Sequence, residues 1–215
     1  MAKQQYDSSE NISPRNLKRK SSLKRSLEIL EATRLLLSEQ GYDKLSLRKI
    51  AAITGIHLKT LQHYFPTKEI LIKATLEYVQ SLYEKKIQEI SSHSTDAEEN
   101  FKNYINYLVE DIKTIETAGF FYQLWAMAHV DENTNNIMEQ IYQAHTDSIE
   151  NLIKAINPDM GNHMRKQRAV MIAALIEGMM LFLGYGKKRP KNTAHIENEI
   201  IALCTNLAVT NDSLQ

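Results

Sequence analysis

Cysteine, glycine and proline are all scarce in this chain of 215 residues. Cys204 is the only cysteine, so a disulfide framework within the chain is excluded. The chain has only 7 glycines and 4 prolines. So few helix-breaking residues over this length favour long helices joined by short connections.

Long apolar runs are missing too. No run of about 18 apolar residues occurs, so a membrane-spanning helix is not expected. The N-terminal stretch MAKQQYDSSENISPRNLKRK is charged and has no apolar segment behind it, unlike a secretory signal. We therefore expect a soluble, cytoplasmic protein without a membrane partner.

The common sequence motifs of enzymes are absent. There is no glycine-rich phosphate loop, no Gly-x-Ser-x-Gly motif and no Cys/His pair at a meaningful spacing. The histidines of the C-terminal part (His129, His145, His163 and His195) do not have the spacing of metal ligands. We expect no catalytic residues, no metal and no cofactor, and an enzyme is the least favoured class.

Charge is balanced overall but divided unevenly along the chain. The whole sequence has 26 Lys and Arg against 26 Asp and Glu. Residues 1–72 hold 13 basic and 7 acidic residues, and residues 73–215 hold 13 and 19. A basic end with a net charge of +6 on an acidic body of −6 is a candidate for binding a polyanion.

Apolar spacing in the N-terminal third predicts helices around one tight turn. Leucines recur with a helical period from Leu23 towards Gly41, where a helix should end. Ser46 is a suitable N-cap for a second, short helix (Leu47, Ile50, Ala51 and Ile53) that Gly55 stops. A third helix should span about 57–64, with Leu58, Leu61 and Phe65 facing inward, and a fourth should run from Pro66 to about Ile90.

The remainder of the chain also shows helical spacing. The predicted helices are 97–115, 118–129, 134–156, 163–185 and 193–209, with Gly119 taken as part of a joint. No strand alternation or repeat of about 20 to 50 residues is present. The predicted fold class is all-α, with about nine helices.

The two short helices on either side of Gly55 form a helix-turn-helix. In such a unit the second helix enters the major groove of DNA. Here that helix carries polar side chains on one face, and these can contact bases or phosphates: His57, Lys59, Thr60, Gln62, His63 and Tyr64. Gln62 could pair with adenine or bind a phosphate.

Residues 29–79, ILEATRLLLSEQGYDKLSLRKIAAITGIHLKTLQHYFPTKEILIKATLEYV, resemble the DNA-binding domain of TetR-family transcriptional regulators. The resemblance implies a helix-turn-helix domain at 21–66 and a helical effector-binding and dimerisation domain at 67–215. It also implies backbone contacts from Tyr64 and Lys68, and phosphate contacts from Ser46 and Arg48. Residues 1–20 are polar and basic, and this composition predicts a flexible arm.

Basic residues cluster ahead of residues 29–79, at Arg15, Lys18, Arg19, Lys20, Lys24 and Arg25. They could follow the DNA backbone or enter a minor groove. A solubilising tail would have the same composition.

Aromatic side chains and a lone glutamate in the C-terminal part are candidates for an effector pocket. The predicted lining residues are Phe101, Tyr104, Tyr107, Phe121, Trp125, His129, Tyr142 and Glu177. The same residues at helical spacing could simply fill a core. Glu177 could bind a cationic ligand or pair across a subunit interface.

In the segment MIAALIEGMMLFLGYG, apolar residues cover nearly the whole circumference of the predicted helix. A surface helix of a monomer would carry more polar residues on its outer face. We therefore expect a homodimer formed through residues 163–185 and 193–209. Its function would be a repressor that binds a palindromic double-stranded DNA operator and is released by a small apolar or amphipathic effector. The alternative is a DNA-binding adaptor regulated by a protein partner, which a cavity below ~300 Å³ would favour.

Overall fold

The computed structural model describes residues 14–211, with side chains from residue 20 onward. Over that range the chain forms nine α-helices and one short 3-10 helix, and no strand. The α-helices are α1 (Pro14–Gln40), α2 (Leu47–Ile53), α3 (Leu58–Tyr64), α4 (Lys68–His93), α5 (Ala97–Asp111), α6 (Ile115–Ala128), α7 (Glu132–Ile156), α8 (Asn162–Leu183) and α9 (Ile196–Val209); the 3-10 helix, η1, is Tyr42–Lys44. The predicted all-α class is confirmed.

The first helix is longer than predicted. It begins at Pro14, within the stretch 1–20 that we expected to be a flexible arm, so that expectation is wrong for residues 14–20. Proline is favoured in the first turn of a helix, since its missing N–H has no helical partner there and its φ is already helical. The rest of the predicted arm, residues 1–13, lies outside the described residues.

Polar side chains cap most of the later helices. Ser46 accepts a hydrogen bond from the backbone N–H of Lys49 at 3.3 Å, as predicted for the start of α2. Thr67 caps α4 in the same way, accepting from Ile70 at 3.2 Å. Asp131 accepts from the N–H of Thr134 at 2.7 Å. Each cap satisfies a donor that the first turn of a helix leaves unpaired.

The N-terminal helices bury a few apolar side chains in the hydrophobic core. Leu61 is fully buried, and Phe65 is buried beside it, as predicted; Leu58 is only partly buried. Ile53 was expected on the inner face of α2 but is 54% exposed. It lies instead in a surface groove with Leu23 and Leu27 of α1. The short α2 therefore buries only its Ile50–Ala51 side.

Helices α1 and α6 meet at a close backbone approach. Gly119 lies inside α6 rather than at a joint, and a Cβ added to it would sit 2.4 Å from the carbonyl oxygen of Ser38. The Ser38 hydroxyl donates to the carbonyl of Glu116 at 2.9 Å. We call these three residues the α1–α6 seam. Glycine is required here by space, which periodicity alone could not reveal.

The C-terminal helices α5 to α9 pack with α4 and extend the same hydrophobic core. The largest fully buried side chains include Phe101, Tyr104 and Phe120. Cys204 is buried as well, and burial raises the pKa of its thiol to about 11. It is therefore a core residue rather than a reactive thiol. Within residues 14–211, no helix is long and apolar enough to cross a membrane.

Substituting Gly119 tests the α1–α6 seam. We expect Gly119→Ala to lower the free energy of unfolding by about 1–3 kcal/mol relative to wild type, since the added Cβ overpacks a contact between two helix backbones. The measurement is urea denaturation at one protein concentration; equal stability of the variant and the wild type would contradict the close approach.

Candidate nucleic-acid interface and buried cavity

The turn between α2 and α3 is tight and needs a glycine. Gly55 has a φ of 64°, in the left-handed region where side chains with a Cβ are strained. The N–H of Ile56 donates to the carbonyl of Ala51 at 3.0 Å, and the Thr54 hydroxyl donates to the carbonyl of Ile50 at 2.8 Å. These bonds end α2 and turn the chain directly into α3, so the predicted helix-turn-helix is present.

Helix α3 has one apolar and one polar face. Its buried side chain is Leu61, followed by Phe65 at the C-cap. On the exposed side the structure brings together most of the predicted contact residues: His57, Lys59, Thr60, Gln62 and His63. Tyr64 is partly buried, with its ring edge-on to that of His63 at 5.9 Å. A polar face of this size on a two-turn helix is available for donors and acceptors on DNA.

The start of α2 adds two further exposed groups. Arg48 is exposed, and so is Ser46. The Ser46 oxygen is already an acceptor in the helix cap, but its hydroxyl hydrogen is still available to a phosphate oxygen. Both predicted phosphate contacts therefore have accessible donors.

The side chain of Lys68 is held in place by contacts with Tyr42. Its ammonium donates to the carbonyl of Tyr42 at 3.0 Å and lies 3.5 Å from the centre of the Tyr42 ring. Partial burial lowers the pKa of Lys68, with Asp43 and Glu69 acting in the opposite direction. An ammonium has three N–H donors, so one bond to Tyr42 leaves others for a phosphate at the start of α4. The sequence did not show that Tyr42 would hold this side chain.

The basic residues of α1 differ in their environments. Lys20 and Lys24 are exposed. Arg25 forms an ion pair with Glu28 at 2.6 Å. The side chains of Arg15, Lys18 and Arg19 lie outside the described residues. Only part of the predicted basic cluster can therefore be placed on the surface of α1.

A cavity of about 40 Å³ lies among α4 to α8. Four of the predicted lining residues contribute to it: Tyr104, Phe121, Tyr142 and Glu177. Glu84 of α4 is the one exposed residue of its lining, and we therefore place the opening of the cavity there. The C-terminal helices thus contain a real cavity, although a small one.

The other four predicted lining residues lie elsewhere. Phe101 is fully buried in the core. Tyr107 faces a neighbouring groove with Arg34. Trp125 is next to Tyr142, and its indole Nε1–H donates a hydrogen bond to the Tyr142 hydroxyl at 2.7 Å. His129 follows the last residue of α6 and is exposed. Helical spacing identified apolar faces but could not tell which side of each ring would meet empty space.

Four polar residues outside the predicted pocket set also line the cavity: Tyr83, Asp111, Thr117 and His145. Tyr83 donates to a carboxylate oxygen of Asp111 at 2.8 Å, and the Thr117 hydroxyl donates to the same oxygen at 2.9 Å. Burial raises the pKa of Asp111. The fourth, His145, has a pKa lowered to about 4 by burial. These side chains come from four different helices, so no local pattern could have grouped them.

Glu177 is the most unusual group in the cavity. Its only hydrogen bond within the described residues is accepted from the Tyr142 hydroxyl at 3.3 Å. Burial raises the pKa of Glu177 to about 7. A partly buried carboxylate with one long hydrogen bond is poorly compensated. Among residues 14–211, no group of three or more His, Cys, Asp or Glu could hold a metal ion.

His145 gives the protein a stability that depends on pH. Its pKa is about 4 in the folded protein, below the ordinary 6.5 of the unfolded chain. Because the unfolded state then binds a proton more readily than the folded state, the contribution of His145 to the free energy of unfolding is complete above pH 6.5 and is lost as the pH falls to 4. We expect the difference in unfolding free energy between wild type and His145→Gln to fall by about 3 kcal/mol from pH 7 to pH 4. Urea denaturation at several pH values measures it. A difference independent of pH would show that His145 is not shielded from protonation.

Comparison with known proteins points to one family. Residues 29–75 match the family model of bacterial regulatory proteins of the tetR family. The chain is 23% identical to the HTH-type transcriptional regulator LuxR of Vibrio harveyi, over 94% of this chain and 98% of that protein. These matches are to transcriptional regulators and not to enzymes.

Solved structures share the fold at low identity. A putative TetR-family transcriptional regulator from Mesorhizobium loti superposes with a TM-score of 0.69 at 15% identity, covering 86% of this chain and 96% of that one. A putative transcriptional regulator from Saccharomonospora viridis in complex with choline gives 0.65 at 19% identity, covering 85% and 95%. With the helix-turn-helix at the matched residues, these comparisons identify residues 29–75 as a DNA-binding domain of the tetR family, in a chain that is similar over most of its length to transcriptional regulators.

Proposed function

We propose that the protein is a homodimeric repressor that binds a palindromic operator and is released from it by a small-molecule effector. The observation that carries this proposal is the polar, exposed face of α3 beside the braced ammonium of Lys68. We assign the DNA contacts to Ser46, Arg48, His57, Lys59, Thr60, Gln62, His63, Tyr64 and Lys68. The protein would act in the cytoplasm, where its DNA is accessible.

An exposed apolar face supports the dimer. Phe182 of α8 is 64% exposed and Leu181 is 55% exposed. Further exposed apolar side chains are Val170 and Met171 of α8 and Leu203 and Val209 of α9. Such a surface is costly in water and typical of subunit interfaces. We therefore keep residues 163–185 and 193–209 as the proposed interface.

Effector control has one observation against it and one in its favour. The cavity of about 40 Å³ is far below the ~300 Å³ of ordinary ligand pockets, and this favours the second candidate, an adaptor regulated by a protein partner. In favour, the hydroxyl of Tyr104 and Nε2 of His145 are buried at the cavity without hydrogen-bond partners. Unpaired buried polar groups are costly, and a small ligand would satisfy them. The Saccharomonospora viridis structure contains choline, which supports small-ligand binding in this fold.

We also propose the division of the chain into a DNA-binding part at 21–66 and an effector-binding and dimerisation part at 67–215. The seam between α1 and α6 would then connect the two parts. An effector can shift DNA binding only by binding one of two conformations more tightly.

Selection of bound sequences from a random duplex pool tests the proposal. Purified protein at moderate salt should recover a palindrome, with half-sites about one helical turn apart because each recognition helix of a dimer enters its own major groove. Binding without sequence enrichment, fading as salt rises, would contradict a sequence-specific regulator and bring the adaptor candidate forward.

Two substitutions should separate backbone contacts from base contacts. Lys68→Met keeps an unbranched side chain against Tyr42 but removes the charge. It should weaken binding to every duplex alike and flatten the salt dependence by about one unit of slope. Gln62→Ala should instead change the sequence preference. Fluorescence anisotropy over a salt series, on the selected and a scrambled duplex, measures both.

The matched control for Lys68→Met is Lys154→Met, which removes the same charge from an exposed position near the end of α7. It should bind DNA as the wild type does. If Lys68→Met retained wild-type affinity and salt slope, Lys68 would serve only to hold Tyr42.

A further inference from the structure

Charge in the cavity is of one sign. Three acidic residues line it: Asp111 and Glu177 inside, and the exposed Glu84 at its opening. No lysine or arginine lines it. Arg34, whose charge lowers the pKa of Asp111, is bonded through two nitrogens to Glu31 at 2.9 and 2.7 Å. A bound anion would therefore meet carboxylates and no cation, which disfavours anionic ligands.

Glu177 lacks a counter-charge. No salt bridge of Glu177 is formed within residues 14–211, and Tyr142 supplies its one hydrogen bond. Tyr142 in turn accepts from the indole of Trp125, so this arrangement orients the phenol towards the carboxylate. A cationic ligand would supply the missing partner in a setting of low polarity, where an ion pair is strong.

Aromatic rings surround the same space. Tyr83, Tyr104, Phe121 and Tyr142 all line the cavity. The rings of Phe121 and Tyr142 have their centres 6.4 Å apart. Aromatic faces attract ammonium groups, more strongly where water is excluded. Rings and carboxylates together thus select for an organic cation with apolar substituents.

Two unsatisfied polar atoms narrow the class of cation. The hydroxyl of Tyr104, a residue only 1% exposed, has no hydrogen-bond partner, and neither has Nε2 of His145. An uncharged imidazole has one nitrogen that accepts a hydrogen bond, and a phenol oxygen accepts as well. A protonated amine has N–H donors for the Tyr104 oxygen, for Glu177 and, in the tautomer that carries its hydrogen on Nδ1, for Nε2 of His145, whereas a quaternary ammonium has none.

Resting on the effector control proposed above, we infer that the effector is a small protonated primary or secondary amine with an apolar substituent. Its ammonium group is placed among Glu177, Tyr104 and His145. The cavity of about 40 Å³ accommodates such a head group, since a water-sized group needs about 10–15 Å³. The apolar substituent extends past Ile141 and Ala144 towards the opening beside Glu84.

Three matched ligands test the inference without DNA: butylammonium, the neutral butanol and the quaternary butyltrimethylammonium. By calorimetry, and by the rise in the thermal unfolding midpoint, butylammonium should bind the full-length protein at least about tenfold more tightly than the other two. Equal binding of butanol would show that charge is not recognised. Tighter binding of the quaternary ion would show that the N–H donors are not used. Either result overturns the inference.

Variants locate the site. Glu177→Gln should weaken butylammonium binding at least about tenfold, whereas Glu139→Gln, the same change at an exposed position of α7, should not. Tyr104→Phe should also weaken it, without loss of thermal stability, because the hydroxyl removed has no partner in the free protein. If no amine binds and Tyr104→Phe is destabilised, the cavity holds only water and the inference fails.

Operator binding separates this inference from the proposed function. If butylammonium binds at Glu177 but leaves operator affinity unchanged, the amine site stands and release by this effector class is wrong. If no amine binds while the protein still selects a palindrome, the amine inference alone is wrong.

Discussion

The close approach of α1 to α6 is the constraint on which the arrangement depends. A carbonyl of α1 occupies the space that a side chain at Gly119 would need, and the Ser38 hydroxyl bonds to the backbone of α6. One turn beyond Gly119, Gln123 accepts a hydrogen bond from the N–H of Tyr42 at 3.2 Å. Tyr42 then holds Lys68. A continuous series of contacts therefore runs from the middle of α6 to the proposed backbone anchor on α4.

The other side of α6 faces the cavity. Thr117 and Phe121 line it, on either side of Gly119 in sequence, and Thr117 also bonds to Asp111. One helix thus contacts both the α1 seam and the proposed amine site. Because backbone-to-backbone contacts compress little, a displacement of α6 by a ligand would have to be matched by α1 or break the seam. This arrangement provides a physical route between effector and DNA, provided the ligand binds the two conformations with different affinity.

The sequence predicted some features well because they depend on local chemistry. Ser46, Gly55 and Thr67 marked the helix ends around the turn, since caps and left-handed positions restrict residue type directly. Gly119 was misassigned, because its role is set by a residue 81 positions earlier along the chain. Only four of the eight predicted lining residues line the cavity. Its lining comes from several helices, and which side of Trp125 or Tyr107 meets empty space depends on packing between them. The early start of α1 was missed because charged helix formers resemble a flexible arm in composition.

Hydrogen exchange of the full-length protein, with and without its selected operator duplex, tests most directly whether the DNA interface and the cavity helices are coupled. Helix α6 is expected not to touch DNA, so changed exchange there must be transmitted through the protein. Because coupling between two sites is reciprocal, operator binding should change amide exchange within residues 115–128 as well as slow it at the helix-turn-helix. Protection confined to residues 42–68, with α6 unchanged, would contradict coupling through the α1–α6 seam.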